Sequence, residues 1–129
     1  LVNTAIISNS TMSIDCVFHL YVDAQLKLLK ANAPIAAIIQ ASCCWAFSFD
    51  FLVKRQMLQP LIELGLSNPF PFTITGYEGQ YAALDAFNSE KYAAQIKAPV
   101  LVISGDQDLI FRSEASKALA AQIPGADYY

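Results

Sequence analysis

The 129-residue sequence predicts an α/β fold in which a few parallel strands are joined by a long, mainly helical insertion. Three observations carry that expectation. Val100 to Ser104 is a continuous apolar run that follows Pro99 and stops at Gly105, the pattern of a strand buried on both faces of a parallel sheet. Val2 to Ser8 is a second short run rich in β-branched residues, closed by Asn9-Ser10. Between these runs the apolar residues recur at helical rather than alternating spacing.

From Ser13 to Lys30, Val17, Leu20, Tyr21, Ala24 and Leu28 fall at helical spacing, while Asp23, Lys27 and Lys30 share another face with an i,i+4 acid-to-base pair. The pattern predicts an amphipathic helix. Pro34 suits the first turn of the next one, in which Ile35, Ile38, Ile39, Trp45, Phe49, Leu52 and Val53 follow. Gln56 to Leu64 reads as a third helical piece with Gly65 as its C-cap, and the two prolines of Asn68-Pro69-Phe70-Pro71 then force a turn. Short helices are expected at Glu78 to Phe87 and at Ser89 to Ile96, the latter with Ser89 as N-cap. Beyond the strand at Val100, the loop Gly105 to Arg112 leads to a helix that Ser113 can cap, with Leu119 and Ile123 on its apolar side. Pro124-Gly125 stops it, and Asp127-Tyr128-Tyr129 reads as the start of a third strand.

The length fits one ordinary domain, and no internal repeat or low-complexity tract divides it. Eight Lys and Arg against eleven Asp and Glu leave a net charge of -3 with no basic block, which argues against nucleic acid as a partner. The chain is 55% apolar and only 15% charged, oilier than the roughly 45–50% and about 25% of typical soluble domains. Ala31 to Val53 is its most apolar stretch, but Asn32, Gln40, Ser42, Ser48 and Asp50 interrupt it, so no membrane span is expected. The surplus is expected to face a core or a contact surface. No initiator Met and no charged segment ahead of an apolar one open the chain, which reads as beginning mid-protein without a signal peptide. Cys16, Cys43 and Cys44 are odd in number and two are adjacent, so no disulfide framework is expected and a reducing cytoplasm fits.

The segment Ile96-Lys97-Ala98-Pro99-Val100-Leu101-Val102-Ile103-Ser104-Gly105-Asp106-Gln107-Asp108 delivers acids to the carboxyl end of a buried strand, where open α/β sheets place their sites. It resembles the stretch I-x-x-P-V-L-V-I-x-G-x-x-D of α/β-hydrolases, in which the Asp is the acid of a Ser-His-Asp triad. Matched position by position, that acid is Asp108. Such an acid holds the catalytic imidazole in the right tautomer and stabilises the imidazolium. Asp106, two residues earlier, projects differently and is the weaker match. Ser113 to Tyr128 is similar to the family's next helix and the lead into its last strand. Upstream, Gly79-Gln80-Tyr81-Ala82-Ala83 and Ser89 to Ile96 resemble in part the stretch that precedes the acid strand. The resemblance implies that residues 1–10 and 97–129 form part of a hydrolase core and that 11–96 form a helical cap. Trp45, Phe47 and Phe49 then belong to the cap, where aromatic side chains roof an apolar acyl pocket, and Trp45 and Phe49 are the expected substrate contacts.

The nucleophile elbow G-x-S-x-G and the oxyanion-hole glycines, which precede the sixth strand in that family, are not in this sequence. None of Ser8, Ser10, Ser13, Ser42, Ser48, Ser67 and Ser104 lies in a Gly-flanked strand-to-helix turn. The family's catalytic His lies a few residues past the position of Tyr129. His19 stands on the first predicted helix with no such serine, and reads as packed or surface. Cys16 and His19 with Cys43 and Cys44 form a poor zinc set, since adjacent cysteines diverge and structural zinc favours C-x-x-C spacing. Asp15 is a rival acid, because some α/β-hydrolases place the acid after strand six.

The resemblance therefore implies a portion of an enzyme that hydrolyses an ester or lactone, with this chain supplying only Asp108, inactive alone and needing no cofactor or metal. A separate N-terminal chain is one possible source of the nucleophile. A non-catalytic helical binding or assembly module is the other reading. So few strands leave faces uncovered, which predicts self-association.

Overall fold

The computed structural model describes residues 2–67 and 73–129. The turn read at Asn68-Pro69-Phe70-Pro71 lies outside them. Three parallel strands, β1 (Ala5–Ser8), β2 (Val100–Ile103) and β3 (Asp127–Tyr128), lie side by side in that order. Ala5 pairs with Val100 and Ser8 with Ile103, while Leu101 pairs with Asp127. β1 and β2 are bridged by α1 (Cys16–Lys30), α2 (Ile35–Ala46), a π-helical turn (Asp50–Lys54), α3 (Leu58–Leu66), α4 (Ile74–Asp85) and α5 (Glu90–Ala93). β2 and β3 are bridged by α6 (Ser113–Gln122). The α/β fold with a helical insertion is therefore as expected.

The core gathers where α6 meets the sheet. Val100 and Val102 point at Leu119, Ala120 and Ile123, with Ala93 of α5 closing the cluster and Ile7, Met12 and Ile96 around it. Ser116 of α6 is fully buried and its hydroxyl donates to the Ser10 carbonyl (2.8 Å), tying the helix to the loop after β1. The strand alternation exposes what the expectation of two buried faces missed. Val100 and Val102 are buried, but Leu101 and Ile103 are only half covered and Ile6 is 70% exposed. One face of the sheet packs on α6; the face carrying Ile6, Leu101 and Ile103 is left partly open.

Helices α1 to α4 form a second layer in which α1 packs on α2 and α4, and α2 on α3. α1 starts at Cys16 rather than Ser13, because the Asp15 side chain accepts the Val17 and Phe18 N–H groups (2.9 and 3.0 Å). The expected Asp23–Lys27 pair forms at 2.6 Å. The helix read continuously from Ile35 to Val53 breaks at Phe47, whose backbone is extended and whose ring stacks on Phe51 at 5.3 Å. Gly65 is not a C-cap. It lies inside α3 where a Cβ would stand 2.5 Å from Ile39 Cδ1, so glycine there permits the close approach of α3 to α2. α4 begins four residues earlier than read, capped by Thr73, whose hydroxyl accepts from Gly76 N (3.1 Å). Ser113 does not cap α6 but is its first helical residue. Ser89 does precede α5, yet its hydroxyl turns to the Met12 carbonyl (3.4 Å), and its N–H donates to the same oxygen (2.9 Å). The chain thus leaves and re-enters the sheet layer side by side at Met12 and Ser89.

Candidate functional site

All three strands are parallel, so their carboxyl ends lie on one edge, and that edge is knitted together by short polar links. Asn9, with a φ of 43° that asparagine tolerates, accepts the Gly105 N–H on its side-chain oxygen (3.2 Å). Ser104 Oγ and the Tyr128 hydroxyl share a bond of 2.6 Å. The loop that follows is pinned at its middle, where Leu109 N donates to the Trp45 carbonyl at the end of α2 (3.2 Å).

Asp108 sits in that loop, half-buried. Its Oδ1 accepts from both Ile110 N and Phe111 N at 2.8 Å, which fixes the carboxylate against its own backbone. Oδ2 has no hydrogen-bond partner among the described residues. Asp106 is exposed at the turn and makes no such contact among the described residues. Asp15 is held differently. Its Oδ1 caps α1, and its Oδ2 accepts from Arg112 Nη2 at 2.6 Å. Partial burial works to raise its pKa, but the Phe18 N–H, the Arg112 guanidinium and the Val17 N–H outweigh it, and the carboxyl lies below its ordinary value. Both oxygens of Asp15 are thus committed, while Asp108 keeps one available.

Trp45 packs its ring on Tyr21 (centroids 5.8 Å), and Phe49 is 65% exposed beyond the end of α2. Phe47, between them, lines an open cleft of about 610 Å³ bordered by α1 to α4. The cleft is mostly apolar, with Ile38, Ile39, Leu61 and Tyr77 among its walls together with the buried Gln25. Tyr77 is pushed up to about 12, first by burial and then by the neighbouring Tyr21. Burial, followed by proximity to Cys44, raises the Cys43 thiol. Sequence reasoning missed Gln25, although it stands on the buried stripe of Phe18, Val22 and Leu29 at helical spacing.

His19 is occupied elsewhere. Its Nδ1 is 2.6 Å from the Tyr81 hydroxyl and its Nε2 is 3.7 Å from Asp85, both on α4. The three cysteines are free thiols, and no group of three metal-ligating side chains occurs among the described residues. No described helix is long and apolar enough to cross a membrane.

No family model matches the sequence, and no curated protein does. Solved structures do. The chain superposes over 100% of its length on 48% of a candidate non-heme bromoperoxidase from Mycobacterium tuberculosis, with TM-score 0.83 and 21% identity. It matches an enol-lactonase from Burkholderia xenovorans LB400 over 98% of its length and 46% of that chain, with TM-score 0.76 and 23% identity. An α/β hydrolase from a deep-sea metagenome library matches over 96% of this chain and 46% of its own, with TM-score 0.75 and 15% identity. The chain has part of the α/β-hydrolase fold. It spans about half the length of the α/β-hydrolase-fold structures it matches. Within that fold, the edge formed by Asn9, the 105–112 loop and Tyr128 is the carboxyl edge of the sheet, where α/β sheets bind ligands.

Proposed function

We propose that this chain supplies the acid of a Ser-His-Asp triad that hydrolyses an ester or lactone, with Asp108 as that acid and the nucleophile and imidazole coming from outside these 129 residues. The observation that supports it is the state of Asp108: anchored through Oδ1 by two backbone amides and open at Oδ2, at the carboxyl edge of an α/β-hydrolase sheet. That is what an orienting carboxylate needs, one oxygen to fix its position and one to accept the imidazole N–H. In the reaction the serine attacks the carbonyl, the His takes and returns its proton, and Asp108 stabilises the imidazolium. No metal or cofactor enters such a mechanism. Residues 11–96 act as the cap over the site, with Trp45 and Phe49 at its substrate side. The three free thiols fit a reducing cytoplasm.

The test has two arms. The 129-residue chain alone is expected to turn over no p-nitrophenyl ester and to take no label from a fluorophosphonate probe; labelling of this chain would overturn the reading. An intact-mass measurement on the native protein is expected to show further polypeptide, continuous or separate, carrying the labelled serine. In that complete protein Asp108→Asn is expected to lower kcat by about 10³–10⁴, and Asp15→Asn by less than about tenfold.

A second reading is favoured by one observation. Ile6, Leu20, Phe49 and Leu64 are each more than 60% exposed (70, 63, 65 and 70%), apolar side chains that assembly with a copy or partner would cover. Under that reading the native protein carries no serine that the probe labels.

A further inference from the structure

Gln25 lies in the middle of α1 and is 3% exposed, yet its Oε1 has no hydrogen-bond partner among the described residues. Buried amide oxygens are rarely left alone, because nothing then offsets the water they lost. Gln25 is one of the residues that line the cleft bounded by α1 to α4. The neighbouring Ser42 hydroxyl does not serve it, since it donates to the Ile38 carbonyl of its own helix (2.9 Å).

The walls narrow the ligand class. Among the described residues, not one of the cleft-lining side chains is an Asp, Glu, Lys or Arg, so a charged ligand would lose its hydration with no counter-ion in return. Ile35, Ile38, Ile39, Leu61 and Leu64 make the surface predominantly apolar, and about 610 Å³ falls in the range that encloses small organic ligands. We propose that the cleft binds a neutral, mainly apolar molecule carrying one hydrogen-bond donor, a hydroxyl or an N–H, which Gln25 Oε1 accepts.

One wall of the cleft is also joined to the acid loop. Phe47 lines the cleft, and two residues earlier the Trp45 carbonyl holds Leu109 N, next to Asp108. That bond ties the segment ending α2, one wall of the cleft, to the acid loop. Naming that ligand as substrate, an ester or lactone with a donor-bearing apolar chain, rests on the hydrolase reading; its binding does not.

Calorimetry on the full chain tests the binding without turnover. The probes are octanol, heptyl methyl ether, which has the same number of heavy atoms and no donor, and octanoate. Octanol is expected to bind saturably at one site, with the ether about tenfold weaker for want of the donor and octanoate weaker by at least as much. Gln25→Met is expected to bring the alcohol and the ether to within about twofold of each other. Leu64→Trp, at a lining position that is 70% exposed, is expected to weaken both together. Equal affinity for octanol and the ether in the unaltered chain would overturn the proposal, and so would a preference for octanol that persists in Gln25→Met. Absence of saturable binding overturns it as well, while leaving the fluorophosphonate and Asp108 results to judge the hydrolase reading separately.

Discussion

Asp15 separates two roles that a carboxylate beside this sheet can have, and substitution there measures them. Its Oδ1 accepts two N–H groups at the start of α1, and its Oδ2 accepts from Arg112 at 2.6 Å. An N-cap of this kind is worth about 0.5–2 kcal/mol. The ion pair joins side chains that are 48% and 35% exposed, so it is worth only about 0.2–1 kcal/mol. Asp15→Ala removes both and is expected to destabilise the chain by about 1–3 kcal/mol. Asp15→Asn keeps a capping oxygen and loses the charge, at a cost of about 0.2–1 kcal/mol. Urea unfolding followed by circular dichroism at neutral pH reads the difference, and added salt is expected to shrink the Asn effect but not the remaining Ala effect. The pH dependence has a definite sign. The folded-state pKa of Asp15 is lowered from 3.8, so its charge-dependent contribution is present above that value and is lost as pH falls through the lower folded one. The advantage of the native chain over Asp15→Asn should therefore fade only in acid. If Asp15→Asn costs as much as Asp15→Ala at neutral pH, the cap is not what holds this end of α1, and the reasoning fails.

Two further substitutions probe the packing. Gly65→Ala places a methyl 2.5 Å from Ile39 Cδ1; because that is the flexible end of a side chain bordering the cleft, the expected cost is about 1 kcal/mol, the low end of overpacking. The displaced Ile39 should also weaken octanol binding measured by calorimetry, and an unchanged affinity would show that Ile39 moves away from the cleft. Ile6→Lys puts a charge on the partly open face beside Leu101, where Ile6 is 70% exposed. If that face drives self-association, sedimentation velocity should show the native chain associating with concentration and the variant staying monomeric; identical profiles would exclude the face.

What the sequence made legible was local. β2 stood out because a β-branched run between Pro99 and Gly105 has few other uses, and the match of Asp108 to a family motif lies on the same stretch. The start of α1 was misplaced by three residues because Ser13 and Asp15 are both good caps; in the fold the Ser13 carbonyl is taken by the Thr11 hydroxyl (2.7 Å), and Asp15 does the capping. Gly65 gave an ambiguous signal, since a glycine near a helix end serves equally as a cap or as room for a neighbour, and only the position of Ile39 decides. The cleft was not legible at all. Its walls come from four helices whose mutual packing no periodicity encodes, and Gln25 matters only because that packing buries it.

The ion pair between Asp15 and Arg112 also bears on which acid can serve the triad. Arg112 lies four residues after Asp108 on the same loop, and an arginine beside an orienting carboxylate would offset the negative charge that stabilises the imidazolium. The structure directs that cation to Asp15, whose second oxygen holds it at 2.6 Å, and leaves Asp108 Oδ2 without a competitor among the described residues. Under the proposed triad, Asp15 would then position the site rather than serve as its acid. In the complete protein, Asp15→Asn should lower kcat by a few-fold, well beyond what its small stability cost explains, because Arg112 is released towards the loop. Adding Arg112→Gln should restore the loss, since no cation then remains to compete. A double variant as slow as Asp15→Asn alone would show that the two acids are independent, and an Asp15→Asn loss as large as that of Asp108→Asn would hand the orienting role to Asp15.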